Sequence, residues 1–236
     1  ANLFQQLYNV VDTIVVGKYV GERALSAVGQ AFPIVVVFLS LIMGFSLASN
    51  ILISQFLGAK KEDDVRRTVH TTIYTIFFFG LFMSVLGAFI TPYILRLMRV
   101  PEDVMAFSES YVRITFSGIL FLFLFNGFTA MLRGMGDSKT PLYVLVVSTI
   151  SNVILDLVFV VSFNMGVEGA AYATIMSQGI SALLVIIIAR KRCEFLRFNI
   201  FALTFDKERQ TNGNTHHRTG KCHAETHIGL QVARHQ

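Results

Sequence analysis

The sequence predicts an all-α membrane protein, a polytopic transmembrane helical bundle with six spans. Hydrophobic residues make up 53% of the 236 residues and charged residues only 15%, whereas soluble domains carry about 25% charged residues. The mean hydropathy of the chain is +0.59. The apolar residues also gather in long stretches, and about 20 helical residues suffice to cross the core of a bilayer.

The six apolar stretches define the expected spans. The first is short and the chain starts inside it without an initiator Met, so we expect the start of the protein to precede Ala1. The second and third are longer than the bilayer core, which predicts tilted helices or extension into the interface. The stretches cover residues 1–16, 26–57, 68–97, 104–132, 142–163 and 169–189.

The basic residues predict how the bundle is oriented. Ten Lys and Arg residues lie in loops 58–67, 133–140 and 190–200, whereas the opposite loops carry four. Because cytoplasmic loops are enriched in Lys and Arg, these three loops and the amino terminus are predicted to be cytoplasmic. Membrane orientation therefore accounts for the net charge of +5, and we expect the lipid bilayer, not nucleic acid, as the partner of the cations.

The end of the chain differs in composition from the rest. We expect residues 1–205 to form the membrane domain and residues 206–236 a polar tail, which holds five of the six histidines. These histidines could be interpreted as a metal cluster, but their spacing matches no common ligand pattern. A disordered or out-of-frame tail is the favoured interpretation.

Two acidic residues lie inside apolar stretches that contain almost no other charge. Asp12 lies in the first stretch and Asp156 in the fifth. A carboxylate within the membrane is costly and is usually retained because it faces a cavity or an ion or proton path. Both acids are therefore candidate functional residues.

Two further polar residues, Tyr111 and Thr174, are expected in the same layer as the acids, and Asn152 is expected one helical turn deeper. A rise of 1.5 Å per residue places Asp12 about 7 Å, Tyr111 about 10 Å, and Asp156 and Thr174 about 12 Å below the outer ends of their helices. Asn152 shares a helix face with Asp156, four residues later. Thr and Asn often form only hydrogen bonds between helices, and Tyr111 could equally anchor its helix at the interface.

The chemistry of this layer suits a small cation or a proton. Carboxylate, amide and hydroxyl oxygens are hard donors, so Asp12, Asn152, Asp156 and Thr174 could together bind Na⁺. Either carboxylate could instead hold a proton, because loss of water favours the neutral acid. We therefore expect H⁺ or Na⁺ at this site and no other cofactor.

Four segments of the sequence read as the motifs of one protein family. They are NVVDTIVVGKYVGERALSAVGQAFPI at 9–34, LISQFLGAKKEDDVRR at 52–67, TAMLRGMGDSKTP at 129–141 and SNVILDLVFV at 151–160. These segments resemble the first-span, loop and fifth-span motifs of the multidrug and toxic compound extrusion (MATE) transporters, in the family's order. The similarity covers residues 1–205.

The resemblance implies a twelve-helix antiporter of two six-helix lobes, of which this chain holds the amino-terminal one and lacks the second. Such a protein, not an enzyme, would export amphiphilic organic compounds and drugs across the plasma membrane (the bacterial inner membrane) as H⁺ or Na⁺ enters. Asp12 and Asp156 match the acids of the family's cation or proton site. Asn152 and Thr174 match its amide and hydroxyl, and Tyr111 matches a nearby tyrosine of the fourth span.

Two alternative functions remain. A flippase for lipids or lipid-linked oligosaccharides, from the same superfamily, is expected to have a more basic cavity, and the spans contain few cations apart from Arg113. An intramembrane aspartyl protease is expected to carry a GxGD-type motif, whereas NVV precedes Asp12 and VIL precedes Asp156. Both are less favoured than the exporter.

Overall fold

The computed structural model describes residues 13, 14 and 16–193. This part of the chain is helical and contains no strand, which confirms the predicted all-α class. A π-helical segment, Leu157–Ser162, directly continues the sixth helix. The helices are α1 (residues 13, 14 and 16–19), α2 (Glu22–Gly58), α3 (Glu62–Leu97), α4 (Glu102–Ser117), α5 (Ile119–Gly134), α6 (Lys139–Asp156) and α7 (Gly166–Arg192).

Most of the predicted spans are confirmed in extent. Four helices of the described part are long and apolar enough to cross a membrane: α2, α3, α6 with its π-helical continuation, and α7. The helices α4 and α5 form a further candidate span that is bent by 44°. The span predicted over residues 104–132 is therefore present as two helices joined at a bend. Most of the first predicted span lies outside the described residues.

The bend between α4 and α5 has a local cause at Ser117 and Gly118. The Ser117 hydroxyl donates a hydrogen bond to the carbonyl of Ile114 at 2.6 Å, and such bonds compete with the helical pattern and bend helices. A Cβ atom at Gly118 would lie 2.4 Å from Cγ1 of Ile175 on α7. Glycine at this position therefore allows the bent pair to pack closely on α7.

We expect Gly118→Ala to destabilise the fold by about 1–3 kcal/mol, because the added methyl group overpacks the contact with Ile175. Thermal unfolding of the purified chain in detergent would measure the change. Gly29→Ala is a matched control, since a Cβ atom at Gly29 of α2 meets nothing within 4 Å. Equal stability of the Gly118→Ala variant and the parent would contradict this account of the bend.

Hydrophobic packing forms two clusters at opposite ends of the bundle. One contains the start of α2 and most of α4, with Phe116 and Phe123 almost fully buried. The other joins the end of α2, the start of α3 and the ends of α5 and α7 around Ile53 and Met131. Large apolar side chains such as Phe89, 74% exposed, lie on the outside, as expected of a surface that faces lipid.

Polar contacts join the start of α6 to the end of α7. The Asp137 carboxylate accepts hydrogen bonds from the backbone N–H of Thr140 at 3.0 Å and from its hydroxyl at 2.6 Å. Arg192 donates to the Thr140 hydroxyl at 3.2 Å and lies 3.6 Å from the Asp137 carboxylate. These contacts hold loop 133–140, which the charge pattern predicts to be cytoplasmic, against the end of α7.

Two predictions about the layout of the chain stay untested. The structure contains no membrane. The cytoplasmic position of loops 58–67, 133–140 and 190–200 therefore stays a prediction. The division into a membrane domain, 1–205, and a tail, 206–236, also stays a prediction, because both the boundary and the tail lie outside the described residues.

Candidate functional site

A central cavity of about 150 Å³ lies between α1, α2, α4, α5 and α7. It adjoins the bend between α4 and α5, because residues on both sides of Gly118 form its wall. The wall is apolar for the most part and includes five residues with hydroxyl or amide groups. These polar residues are Thr13, Tyr111, Thr115, Thr174 and Gln178.

Helical periodicity explains how the polar groups meet. Tyr111 and Thr115 are four residues apart on α4, and Thr174 and Gln178 are four residues apart on α7, so each pair shares one face of its helix. Tyr111 and Thr174 are each only 7% exposed. Burial of Tyr111 beside the cavity favours a role inside the bundle over that of an interfacial anchor.

Aromatic side chains form much of the apolar wall. Phe32 and Phe38 of α2 and Phe116 of α4 line the cavity. The rings of Phe38 and Phe116 pack edge to face, with centroids 4.6 Å apart, a favourable arrangement for an aromatic pair. A wall of this kind, with a few hydroxyl and amide groups, is complementary to an organic molecule with both apolar and polar parts.

Asn152 and Asp156 lie on α6 and are fully buried, at 0% exposure. They do not belong to the cavity wall, although α6 packs along α7, which carries Thr174. The structure therefore places Tyr111 and Thr174 on the wall of one cavity, and it places Asn152 and Asp156 on a helix that packs against α7.

The Asn152 side chain is a buried amide without a hydrogen-bond partner among the described residues, at either its nitrogen or its oxygen. Burial of an amide without hydrogen bonds is costly, and most buried polar groups in proteins have partners. An ion or a water molecule beside Asn152 would satisfy this requirement. This observation fits the predicted role of Asn152 in a cation site.

The helix changes form immediately after Asp156. Residues Leu157–Ser162 are π-helical, and the N–H of Phe163 donates to the carbonyl of Val158 at 3.0 Å. Gly169 of α7 passes so close that a Cβ atom there would lie 3.1 Å from the carbonyl carbon of Phe159. Because π-helical turns occur frequently at functional sites, this segment marks the surroundings of Asp156 as unusual.

Asp12 lies outside the described residues. Its neighbour Thr13 lines the central cavity, so the chain immediately after Asp12 reaches the site. Proximity of Asp12 to Asp156, and the Na⁺ ligand set of Asp12, Asn152, Asp156 and Thr174, stay predictions.

Three polar residues of the wall, Thr13, Thr115 and Gln178, were missed in the sequence. Thr115 and Gln178 each lie one helical turn after a predicted site residue, a spacing that could have identified them. Gln178 also lines a small neighbouring cavity of about 50 Å³. That cavity has four hydroxyl groups, from Ser148, Thr149, Ser177 and Ser181, and it extends the polar region between α6 and α7.

The cavity wall is electrically neutral within the described part of the chain. No Lys or Arg of that part lines it. Arg113, the cation noted in the fourth span, has a side chain that is 55% exposed and pairs with Glu109 at 2.8 Å. Arg113 therefore does not make the cavity basic.

Comparison with known proteins places the chain among transport proteins. The family model described as MatE matches residues 1–158. "Probable multidrug resistance protein YoeA" of Bacillus subtilis is 38% identical over 203 residues, which cover 84% of this chain and 44% of that protein. "Probable multidrug resistance protein NorM" of Thermotoga maritima is 27% identical over 198 residues, which cover 82% of this chain and 42% of that protein.

Solved structures show the same similarity. The outward-facing conformation of a multidrug resistance MATE family transporter of the MOP superfamily has a TM-score of 0.77 and 25% identity, over 84% of this chain and 44% of that one. A MATE crystal structure in the bent conformation has a TM-score of 0.73 and 26% identity, over 77% and 40%. The chain spans less than half the length of the relatives that it matches.

Proposed function

Because this chain belongs to the MatE family, we propose that it forms the amino-terminal lobe of an exporter that moves amphiphilic organic compounds and drugs out of the cell. The exporter lies in the plasma membrane, which is the inner membrane of a bacterium. A second six-helix lobe completes it. The relatives that the chain matches are named as multidrug resistance proteins, which supports this class of substrate.

The central cavity is the observation that carries the proposal. Its aromatic side chains, such as Phe38, can pack against the apolar part of a drug. The hydroxyl group of Tyr111 and the amide group of Gln178 can form hydrogen bonds with polar substituents. A neutral wall without fixed cations also admits positively charged compounds without repulsion. Transport would follow as the two lobes rock around a central site.

Coupling to an inward flow of H⁺ or Na⁺ is the second part of the proposal. Asp156 supplies a buried negative charge or a proton-binding group on α6, which packs against the α7 helix of the cavity wall, and the unsatisfied amide of Asn152 lies on the same helix face. Occupation of this layer by a cation would neutralise Asp156 and alter the packing of α6 on α7. Because α7 also carries Thr174 and Gln178, such a change would reach the cavity wall.

The two alternatives have less support. A flippase for lipids or lipid-linked oligosaccharides is expected to have a basic cavity. No Lys or Arg of the described part of the chain lines this one. The intramembrane protease is disfavoured because the family and the similar structures are those of transporters.

A dye-efflux assay tests the export function. Cells that lack their own drug exporters would express the full gene that encodes this chain and be loaded with a fluorescent organic cation. We expect faster loss of the dye than in cells with an empty vector, and slower loss when the proton and sodium gradients are collapsed. Equal rates with gene and empty vector for a panel of amphiphilic dyes would contradict the proposal.

A further inference from the structure

A second groove lies between α2 and α3, away from the central cavity. Its volume is about 320 Å³. Apolar side chains of α2 form one wall, including Phe45 and Leu52, and α3 supplies a row of threonines that ends at Arg67. This α2–α3 groove plays no part in the proposed export site.

The groove runs from the membrane surface into the hydrocarbon. The 36 residues of α3 span about 54 Å at 1.5 Å per residue, so a centred helix extends about 12 Å beyond each side of a core of about 30 Å. Arg67 then lies about 8 Å from the start of α3, at headgroup level. Thr75 lies about 20 Å from that start, and therefore about 8 Å inside the core.

The facing wall on α2 has a matching depth. Leu52 lies about 9 Å and Phe45 about 20 Å before the end of α2, so the two helices run antiparallel along the groove. A hydrogen bond of 3.1 Å from the Thr72 hydroxyl to that of Ser49 joins the helices between these levels. The groove therefore offers polar groups near the surface and aromatic and aliphatic surface deeper in the membrane.

The charge of Arg67 indicates the class of ligand. Its side chain is exposed and it forms no ion pair with a described residue. A guanidinium group matches the geometry of a phosphate and forms strong, charge-assisted hydrogen bonds with it. The acidic residues Glu62, Asp63 and Asp64 precede it in the first turn of α3 and do not line the groove.

We propose that the α2–α3 groove binds an anionic phospholipid of the leaflet on the Arg67 side, which the charge pattern predicts to be cytoplasmic. Its phosphate lies against Arg67 and the exposed hydroxyl of Thr71, and one acyl chain lies along Leu52, Ala48 and Phe45. This site requires only that α2 and α3 span the membrane. It is therefore independent of the exported compound and of the coupling ion.

Lipid-dependent thermal stability tests the site in the purified chain. Phosphatidylglycerol added to the detergent-solubilised chain is expected to raise the unfolding temperature in a saturable manner, and phosphatidylcholine to do so much less. Arg67→Gln is expected to weaken the apparent affinity for phosphatidylglycerol by about tenfold, because the charge-assisted contacts are lost. Arg66→Gln is the matched control, since Arg66 is exposed but does not line the groove.

A second variant probes the apolar part of the groove. Ala48 is exposed and lines the groove, so Ala48→Phe is expected to fill it and weaken phosphatidylglycerol binding without a change in charge. Equal losses of affinity in Arg66→Gln and Arg67→Gln would overturn the proposal, because they would show diffuse attraction to basic residues. Equal stabilisation of the parent by inorganic phosphate or by phosphatidylcholine would overturn it as well.

Discussion

Asp156→Asn is expected to lower coupled export by about tenfold or more while the protein remains in the membrane, because an acid retained inside a membrane bundle usually serves ion or proton movement. Asparagine keeps the size and much of the hydrogen bonding of the aspartate, but it cannot cycle a proton or balance the charge of Na⁺. The position is fully buried, so the substitution acts inside the bundle and not on its surface. Dye efflux from cells, corrected for the amount of protein in the membrane, would measure the change.

Asp103→Asn is the control for this prediction. Asp103 lies in the first turn of α4 and is exposed, so the same chemical change there is expected to leave export unchanged. If Asp156→Asn exported dye at the parent rate throughout the neutral pH range, Asp156 would be a structural residue and the coupling proposal would fail.

A bulky side chain in the central cavity is expected to have the second-largest effect. Val35 of α2 lines the cavity, and Val35→Trp would occupy part of its volume of about 150 Å³. We expect the apparent affinity for a large dye to fall by about tenfold or more, within the range that a change of pocket fit produces. Transport kinetics measured over a range of dye concentrations would show the change.

The neighbouring Val36 supplies the control. It is 39% exposed and does not line the cavity, so Val36→Trp is expected to retain the parent affinity for the dye. Equal losses in the two variants would indicate a general effect of bulk on α2. Unchanged affinity in Val35→Trp would show that drugs bind elsewhere.

Hydropathy was sufficient to predict the extent of the spans, because long apolar stretches without charge have few alternatives to a membrane helix. The bend between α4 and α5 was not predicted. A Ser-Gly pair permits a bend, but the closeness of Gly118 to Ile175 of α7 depends on how distant helices pack. The π-helical segment after Asp156 was also not predicted, because its sequence LVFVVS differs little from that of an ordinary apolar α-helix.

The candidate site could be predicted in part. Depth along each helix grouped Tyr111 with Thr174, and both residues line the central cavity. Depth along a helix gives no information about the direction in which a side chain faces. The sequence therefore could not show that Asn152 and Asp156 lie outside the cavity wall. Thr115 and Gln178 carry no unusual signal as single residues, and only their spacing from Tyr111 and Thr174 distinguishes them.

Ion-driven transport in proteoliposomes tests the central claim most directly. The protein from the full gene would be reconstituted, and a gradient of H⁺ or of Na⁺ would be imposed with an organic cation at equal concentration on both sides. We predict that at least one gradient drives the organic cation against the direction of ion flow, and that Asp156→Asn abolishes this uphill movement. Absence of uphill movement under either gradient in the parent, or its persistence in Asp156→Asn, would contradict the claim that Asp156 couples ion entry to export.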